Sequence, residues 1–220
     1  MNPKLLNKFI CADAFDYIKQ FPEKSVDLMF TSVPDIAETD NTDIKLYIEF
    51  LNKSIIQIDR VIKDEGFLVF SQTDRKIGGE IYMKHVTLKE IAEDFGFKLK
   101  DYKIMVKDRV DKINLYRLNY SHVLIMSKTG KIPTKKRKGK YLQDVWVYPY
   151  PNPGLFDQDF CNLIIETLTK ENDLVLDPFA GRGTVLKSAL ELKRNFFGTE
   201  INKEIYDKKY VFGNESLDFW

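Results

Sequence analysis

Residues 174–184, LVLDPFAGRGT, read as a short apolar strand that runs straight into a glycine-rich turn and then a helix. Gly181 and Gly183 lack a Cβ, so the backbone there can turn tightly and come close to a ligand. The N–H groups at the start of the helix that begins near Thr184 carry partial positive charge and suit a carboxylate or phosphate. A Gly-x-Gly turn also serves as a plain strand-to-helix connection, and this one lacks the third glycine of a nicotinamide-dinucleotide fingerprint. What adds weight is FFGTE further on, which sets an acid, Glu200, at the end of the next strand, the arrangement used to hold a ribose by its hydroxyls.

The chain around this phrase alternates between two periods. Residues 26–31, 67–70, 102–106, 123–126, 174–176 and 196–199 are short, apolar and rich in Val, Ile, Leu and Phe, and read as strands. Ile44, Tyr47, Leu51, Ile55, Ile58 and Ile62 recur at three- and four-residue steps and mark an amphipathic helix that stops before Glu65 and Gly66. A second helix is expected over 88–95 with Gly96 closing it, and others over 14–20, 157–169 and 185–192. Such alternation predicts an α/β fold, an open and mostly parallel sheet with helices on both faces, in which ligands gather at the carboxyl ends of strands.

Composition bounds the size and setting. With 220 residues, 44% of them hydrophobic, the chain is expected to form a single domain over 1–220, because one core serves chains up to roughly 250 residues. Cys11 and Cys161 stand far apart with no Cys-x-x-Cys or Cys/His motif, so reduced thiols and no metal are expected. No apolar run approaches the roughly 20 residues that span a bilayer, so no membrane association is expected, and the protein is placed in the cytoplasm, or in the nucleus of a host that has one. A net charge of +1 argues against a binder that relies on bulk charge. The positive charge is instead local: residues 128–140, KTGKIPTKKRKGK, form a basic run that reads as a solvated loop.

DPFAGRGT with the downstream FFGTE resembles the S-adenosylmethionine (SAM) site of the DNA amino-methyltransferases. In the beta-type members of that family the order is circularly permuted, with the catalytic segment first and the cofactor turn last, and the order here is the same. VDLMFTSVPD, ending at Asp35, stands where the family carries an apolar strand followed by Ser-Pro-Pro-Tyr or Asp-Pro-Pro-Tyr. CADAFDYIKQFPEKSVDL upstream, EGFLVFSQ and YSHVLIMSK downstream, and DVWVYPYPNPGLFDQDFCNLII before the cofactor turn resemble further family segments, so the likeness covers nearly the whole chain.

The resemblance implies a Rossmann-like methyltransferase fold and transfer of a methyl group from SAM to the exocyclic amine of adenine or cytosine in DNA. It implies that Asp177 faces the amino group of the methionine moiety, that Phe179 and Thr184 line that end with Gly181 and Gly183 in the turn, and that Glu200 takes the ribose hydroxyls. Asp13 corresponds to a contact with the adenine amino group, although aspartate before a helix is equally an N-cap. Phe156 corresponds to packing on the adenine, or to core. In the catalytic turn, Ser32 and the Val33 carbonyl would accept hydrogen bonds from the target amine, and Pro34 would stiffen the turn.

Two positions depart from the family. Val33 replaces a proline, and Asp35 replaces the aromatic that stacks on a flipped base, a contact worth about 1–3 kcal/mol in single-strand comparisons. Three readings follow: an active enzyme that grips its base through another aromatic or through Asp35, a catalytically silent SAM-binding subunit with an active partner, or a methyltransferase for RNA or another substrate. The basic run occupies the position of a target-recognition insert reduced to a loop, in which Lys135, Lys136, Arg137 and Lys138 are expected to touch phosphate. So short an element suggests a homodimer or a second methyltransferase subunit.

Overall fold

The structure is a computed structural model that describes residues 5–39, 43–108, 118–133, 143–149 and 156–209. Its elements, in chain order, are β1 (Lys8–Cys11), α1 (Ala14–Ile18), β2 (Val26–Thr31), α2 (Ile44–Val61), β3 (Ile62–Gln72), β4 (Arg75–Ile77), β5 (Glu80–Tyr82), α3 (Lys84–Asp94), β6 (Lys98–Asp108), β7 (Tyr120–Ser127), β8 (Val145–Pro149), α4 (Gln158–Leu168), β9 (Leu174–Asp177), α5 (Thr184–Glu191), β10 (Asn195–Glu200) and α6 (Lys203–Tyr206). A 3-10 turn, Ile36–Glu38, follows β2.

Eight strands form one sheet in the order β1-β10-β9-β2-β3-β7-β6-β8, and β4 with β5 forms a separate hairpin. The pairs from β1 to β3 are all parallel, β7 runs antiparallel to both β3 and β6, and β8 lies parallel to β6. Strand alternation divides the core between the two faces. Leu68 and Phe70 of β3 join Tyr47, Leu51, Ile55 and Ile58 of α2 on one face, while Phe67 and Val69 join Phe160 and Ile164 of α4 on the other. Helices therefore cover both sides, as the alternating pattern predicts.

Local chemistry explains the helix starts. Asp13, Asp43 and Asp157 cap α1, α2 and α4 through the N–H groups of Phe15, Lys45 and Phe160, each at 2.8 Å. At the other end of α3, Gly96 adopts φ +84°, the left-handed geometry expected of it.

Several boundaries differ from expectation. Ile62 is not the last turn of a helix but the first residue of β3, paired with Val26, and its apolar side chain is buried in either setting, which is why periodicity misplaces it. Helix α3 begins four residues earlier than residue 88, after Met83, which provides no side-chain cap and so no sequence signal. Strands β1 and β8, the β4/β5 hairpin and α6 are too short to show a period. Lys135, Lys136, Arg137 and Lys138 lie outside the described residues. Among the described residues no helix is long and apolar enough to cross a membrane.

Candidate active site

Two turns leave the sheet side by side. Strands β9 and β2 are hydrogen-bonded neighbours, Leu28 opposite Val175 and Met29 opposite Leu176, so the segments that follow them open from one point. From β9 the chain continues to β10 on one side, and from β2 to β3 on the other, which makes the gap between them the crevice where open α/β sheets bind ligands.

Asp177 closes β9 and is buried. Its Oδ1 accepts a hydrogen bond from the Thr31 hydroxyl at 2.7 Å, and one from the Phe179 N–H at 3.3 Å. Burial pushes its pKa up to about 7; the Thr31 and Phe179 bonds oppose that rise and Glu200 adds to it. A carboxylate poised this way is ready to be ionised by an incoming cation. Beyond it Gly181 and Gly183 take φ +57° and +87°, as a tight turn into α5 requires.

Glu200 ends β10 one strand away and fixes the turn from the side. Its Oε2 accepts the Gly181 N–H at 3.0 Å and its Oε1 the Asn202 N–H at 2.7 Å. Partial burial raises its pKa, against the pull of those two donors. At Gly198 β10 packs closely against both α5 and β9: a Cβ there would lie 2.5 Å from Leu186 Cδ1 and 3.0 Å from the Asp177 carbonyl oxygen. Asp13 lies just beyond β1, the next strand over, and caps α1.

An open cleft of about 630 Å³, counted out into solvent, lies beside the turn after β9; Asp177, Glu200 and Asp13 are not part of its wall. Ser32, Phe156, Phe179, Gly181 and Thr184 line it, together with Ser71, Thr73, Met105, Lys107, Ser121 and Tyr148, none of which is among the site residues expected from the sequence. Phe156 stacks on Phe30, ring centres 5.6 Å apart, so it is at once core and cleft wall. Phe179 rests 5.9 Å from the Phe50 ring. Ser121 and Lys107 each hydrogen-bond the Thr73 hydroxyl, at 2.7 and 3.0 Å.

The catalytic turn is held from behind. Tyr47, buried on α2, donates its hydroxyl to the Pro34 carbonyl at 2.6 Å, and burial holds its own pKa far above the usual phenol value. Asp35 caps the 3-10 turn in a reciprocal box with Glu38, whose Oε2 accepts the Asp35 N–H at 2.8 Å. The Asp35 carboxylate pairs with buried Lys84 and lies 3.8 Å from Arg75 Nη1. Lys84 also donates to the Val33 carbonyl at 3.4 Å. The cleft wall includes Ser32 but not Asp35.

The family model described as DNA methylase matches residues 26–210. The type II methyltransferase M.BglII from Bacillus subtilis is 25% identical over 246 residues, covering 93% of this chain and 68% of that protein. Among solved structures, the complex of M1.HpyAVI with SAM is 26% identical with a TM-score of 0.69, covering 91% of this chain and 96% of that one. The cytosine-N4-specific PvuII DNA methyltransferase superposes with a TM-score of 0.79 at 18% identity, over 95% of this chain and 88% of that one, a likeness of fold. With the two turns adjacent and the family match running through both, the chain belongs to the N6/N4 DNA methylase family.

Proposed function

We propose that this chain transfers a methyl group from SAM to the exocyclic amine of adenine or cytosine in DNA, with the base turned out of the helix into the cleft between Ser32 and the turn after β9. The observation that carries this reading is the bond between Thr31 and Asp177, which joins the last residue before the catalytic turn to the last residue before the cofactor turn. Cofactor and amine would thereby be brought together without a long lever between them, and holding two reactants in line is most of what this reaction requires.

SAM, when bound, supplies a methyl group already activated on a sulfonium. Asp177 would hold its amino group, Phe179 and Thr184 would bound the methionine end, Glu200 would accept from the ribose, and Asp13 and Phe156 would meet the adenine. The Ser32 hydroxyl accepts a hydrogen bond from the target amine and orients its lone pair. As the bond from the amine nitrogen to the methyl carbon forms, the bond from that carbon to the sulfonium sulfur would break and leave a neutral thioether, and the amine's proton would pass to solvent. With aspartate at position 35, the ring contact on the flipped base falls to the cleft's own aromatics, Tyr148 foremost. Lys135, Lys136, Arg137 and Lys138 hold DNA phosphates, and a homodimer or second subunit completes sequence choice.

Incubation of the purified protein with labelled SAM and mixed DNA tests this reading; label in the amino group of adenine or cytosine supports it. One observation favours a second reading, a SAM-binding but silent subunit: Lys84 already donates to the Val33 carbonyl that would take the second amine hydrogen. Cofactor binding without transfer to any DNA or RNA offered, alone or with partner subunits, would select it.

A further inference from the structure

The chain has only two histidines, and both converge on one carboxylate. Asp74 stands just past the end of β3, His85 in the first turn of α3, and His122 in β7, so the three come from separate elements. His85 Nδ1 lies 2.8 Å from Asp74 Oδ1, and His122 Nε2 lies 3.3 Å from Asp74 Oδ2. The donor atoms of all three residues fall within 4.8 Å of one another. The two imidazoles lie parallel, ring centres 3.6 Å apart, with both rings directed at the same acid.

Hydrogen bonding alone leaves this arrangement incomplete. His122 Nε2 is buried without a hydrogen-bond partner, because its approach to Asp74 lacks the alignment of a bond. Gln72, fully buried and directly opposite His122 across the β3/β7 ladder, has no partner for either side-chain atom. Buried polar atoms without partners are costly and uncommon, so the open His122 Nε2, with Gln72 beside it, points to a missing ligand. On its other side His122 is held: its Nδ1 bonds the Tyr102 hydroxyl, which fixes the ring and, with Nδ1 as donor, leaves Nε2 with an outward lone pair.

We propose that Asp74, His85 and His122 form a binding site for one divalent transition-metal ion of the zinc class. Bonds of about 2.0–2.2 Å in a tetrahedron put neighbouring donors about 3.3–3.5 Å apart, so from within 4.8 Å the widest pair closes by up to about 1.5 Å and the two stacked rings tilt out of parallel to point at one ion. Two imidazoles and a carboxylate are a ligand set that such ions take with a position left for water. The site is remote from any local motif, since its members are spread over 48 residues of sequence, and it departs from the expectation of no metal that the missing Cys/His clusters suggest. An ion here ties the first turn of α3 to β3 and β7. Lys84, adjacent to His85, is thereby fixed against Asp35 and the Val33 carbonyl.

The test uses the full chain stripped with a chelator and dialysed. Titration calorimetry with zinc chloride should show one equivalent bound, and zinc should raise the melting temperature. Cobalt(II) should give visible d–d bands without a sulfur charge-transfer band, which separates this site from Cys11 and Cys161. His122→Ala and the partly exposed His85→Asn should each lower zinc affinity tenfold or more, with His85→Asn serving if loss of His122 prevents folding. No stoichiometric zinc binding by the native chain overturns the proposal, as does zinc binding that His85→Asn leaves unchanged.

Discussion

The Lys84 ammonium donates to the Val33 carbonyl, 3.4 Å away, while forming an ion pair with Asp35, so a single buried cation spans the two positions at which this chain departs from its family's catalytic tetrapeptide. Replacing Lys84 with methionine should therefore act on turnover and stability together. It leaves the Asp35 carboxylate, which is only 26% exposed, with the more distant Arg75 at 3.8 Å as its remaining cation. Loss of one partner of a fully buried pair costs about 3–5 kcal/mol, and residual solvent at Asp35 reduces that to roughly 2. Chemical denaturation should show the double change, Lys84→Met with Asp35→Ala, to be more stable than Lys84→Met alone. An equal or greater loss in the double variant would mean the pair is not coupled.

Ser32→Ala should lower kcat about tenfold, the equivalent of ~1.4 kcal/mol and of one lost hydrogen bond to the amine, with the SAM dissociation constant changed by less than twofold. Single-turnover transfer and calorimetry on the same preparation check the two halves. A parallel loss of cofactor affinity would move Ser32 out of the amine's path.

Glu200→Ala should weaken SAM binding at least tenfold and also destabilise the apo protein, because the Gly181 and Asn202 N–H groups lose their shared acceptor. Glu200→Gln keeps an acceptor oxygen and should retain more of the stability than of the affinity. Melting curves with and without SAM distinguish the two effects.

Asp177 sets a pH dependence whose sign differs between the empty and the loaded protein. Its folded pKa, about 7, is above the ordinary carboxylate value, so the apo fold is favoured with Asp177 protonated. That contribution is fully present below the unfolded pKa and declines as pH rises to about 7, by on the order of 4 kcal/mol. Asp177→Asn should thus raise the apo melting temperature at pH 8 more than at pH 5. SAM affinity of the native protein should do the reverse, rising from pH 6 to pH 8 as the carboxylate ionises, and Asp177→Asn should flatten the profile. Affinity that falls over this range would remove Asp177 from the cofactor's amino group.

Four phosphate contacts from Lys135, Lys136, Arg137 and Lys138 correspond to a slope of about −3.6 in the logarithm of DNA affinity against that of salt concentration, at roughly −0.9 each. The four-alanine variant should lose that portion of the slope and keep its sequence preference. An unchanged slope would return these residues to solvated surface.

What the sequence could reveal was local chemistry. Gly181 and Gly183 need their left-handed geometry within three residues of each other, Asp13 and Asp157 cap helices two and three residues ahead, and Glu200 ends an apolar run; each is readable from its neighbours. The catalytic turn's supports are not local. Lys84 reaches Val33 across 51 positions and Thr31 meets Asp177 across 146, so their roles depend on a topology that no window of sequence contains, and Tyr47 reaches the Pro34 carbonyl only once α2 has folded back on the turn. Asp35 illustrates the limit most sharply. Its identity left the base to be gripped by Asp35 or by another aromatic, and the sequence showed nothing of its place as the cap of a 3-10 turn and the counter-ion of Lys84.

The strand order has a consequence for synthesis on the ribosome. Among the described residues strand β1, residues 8–11, pairs only with β10, and β2 has β9 as its neighbour on one side. Both must wait, with an open edge, until residues 174–200 have emerged, well over a hundred positions later. The nascent chain therefore carries half a sheet with unpaired backbone groups, a state prone to association with other chains. Because the strand that completes the sheet also delivers the glycine turn, folding and acquisition of the cofactor pocket become one late event, and a chain released early can neither fold nor methylate.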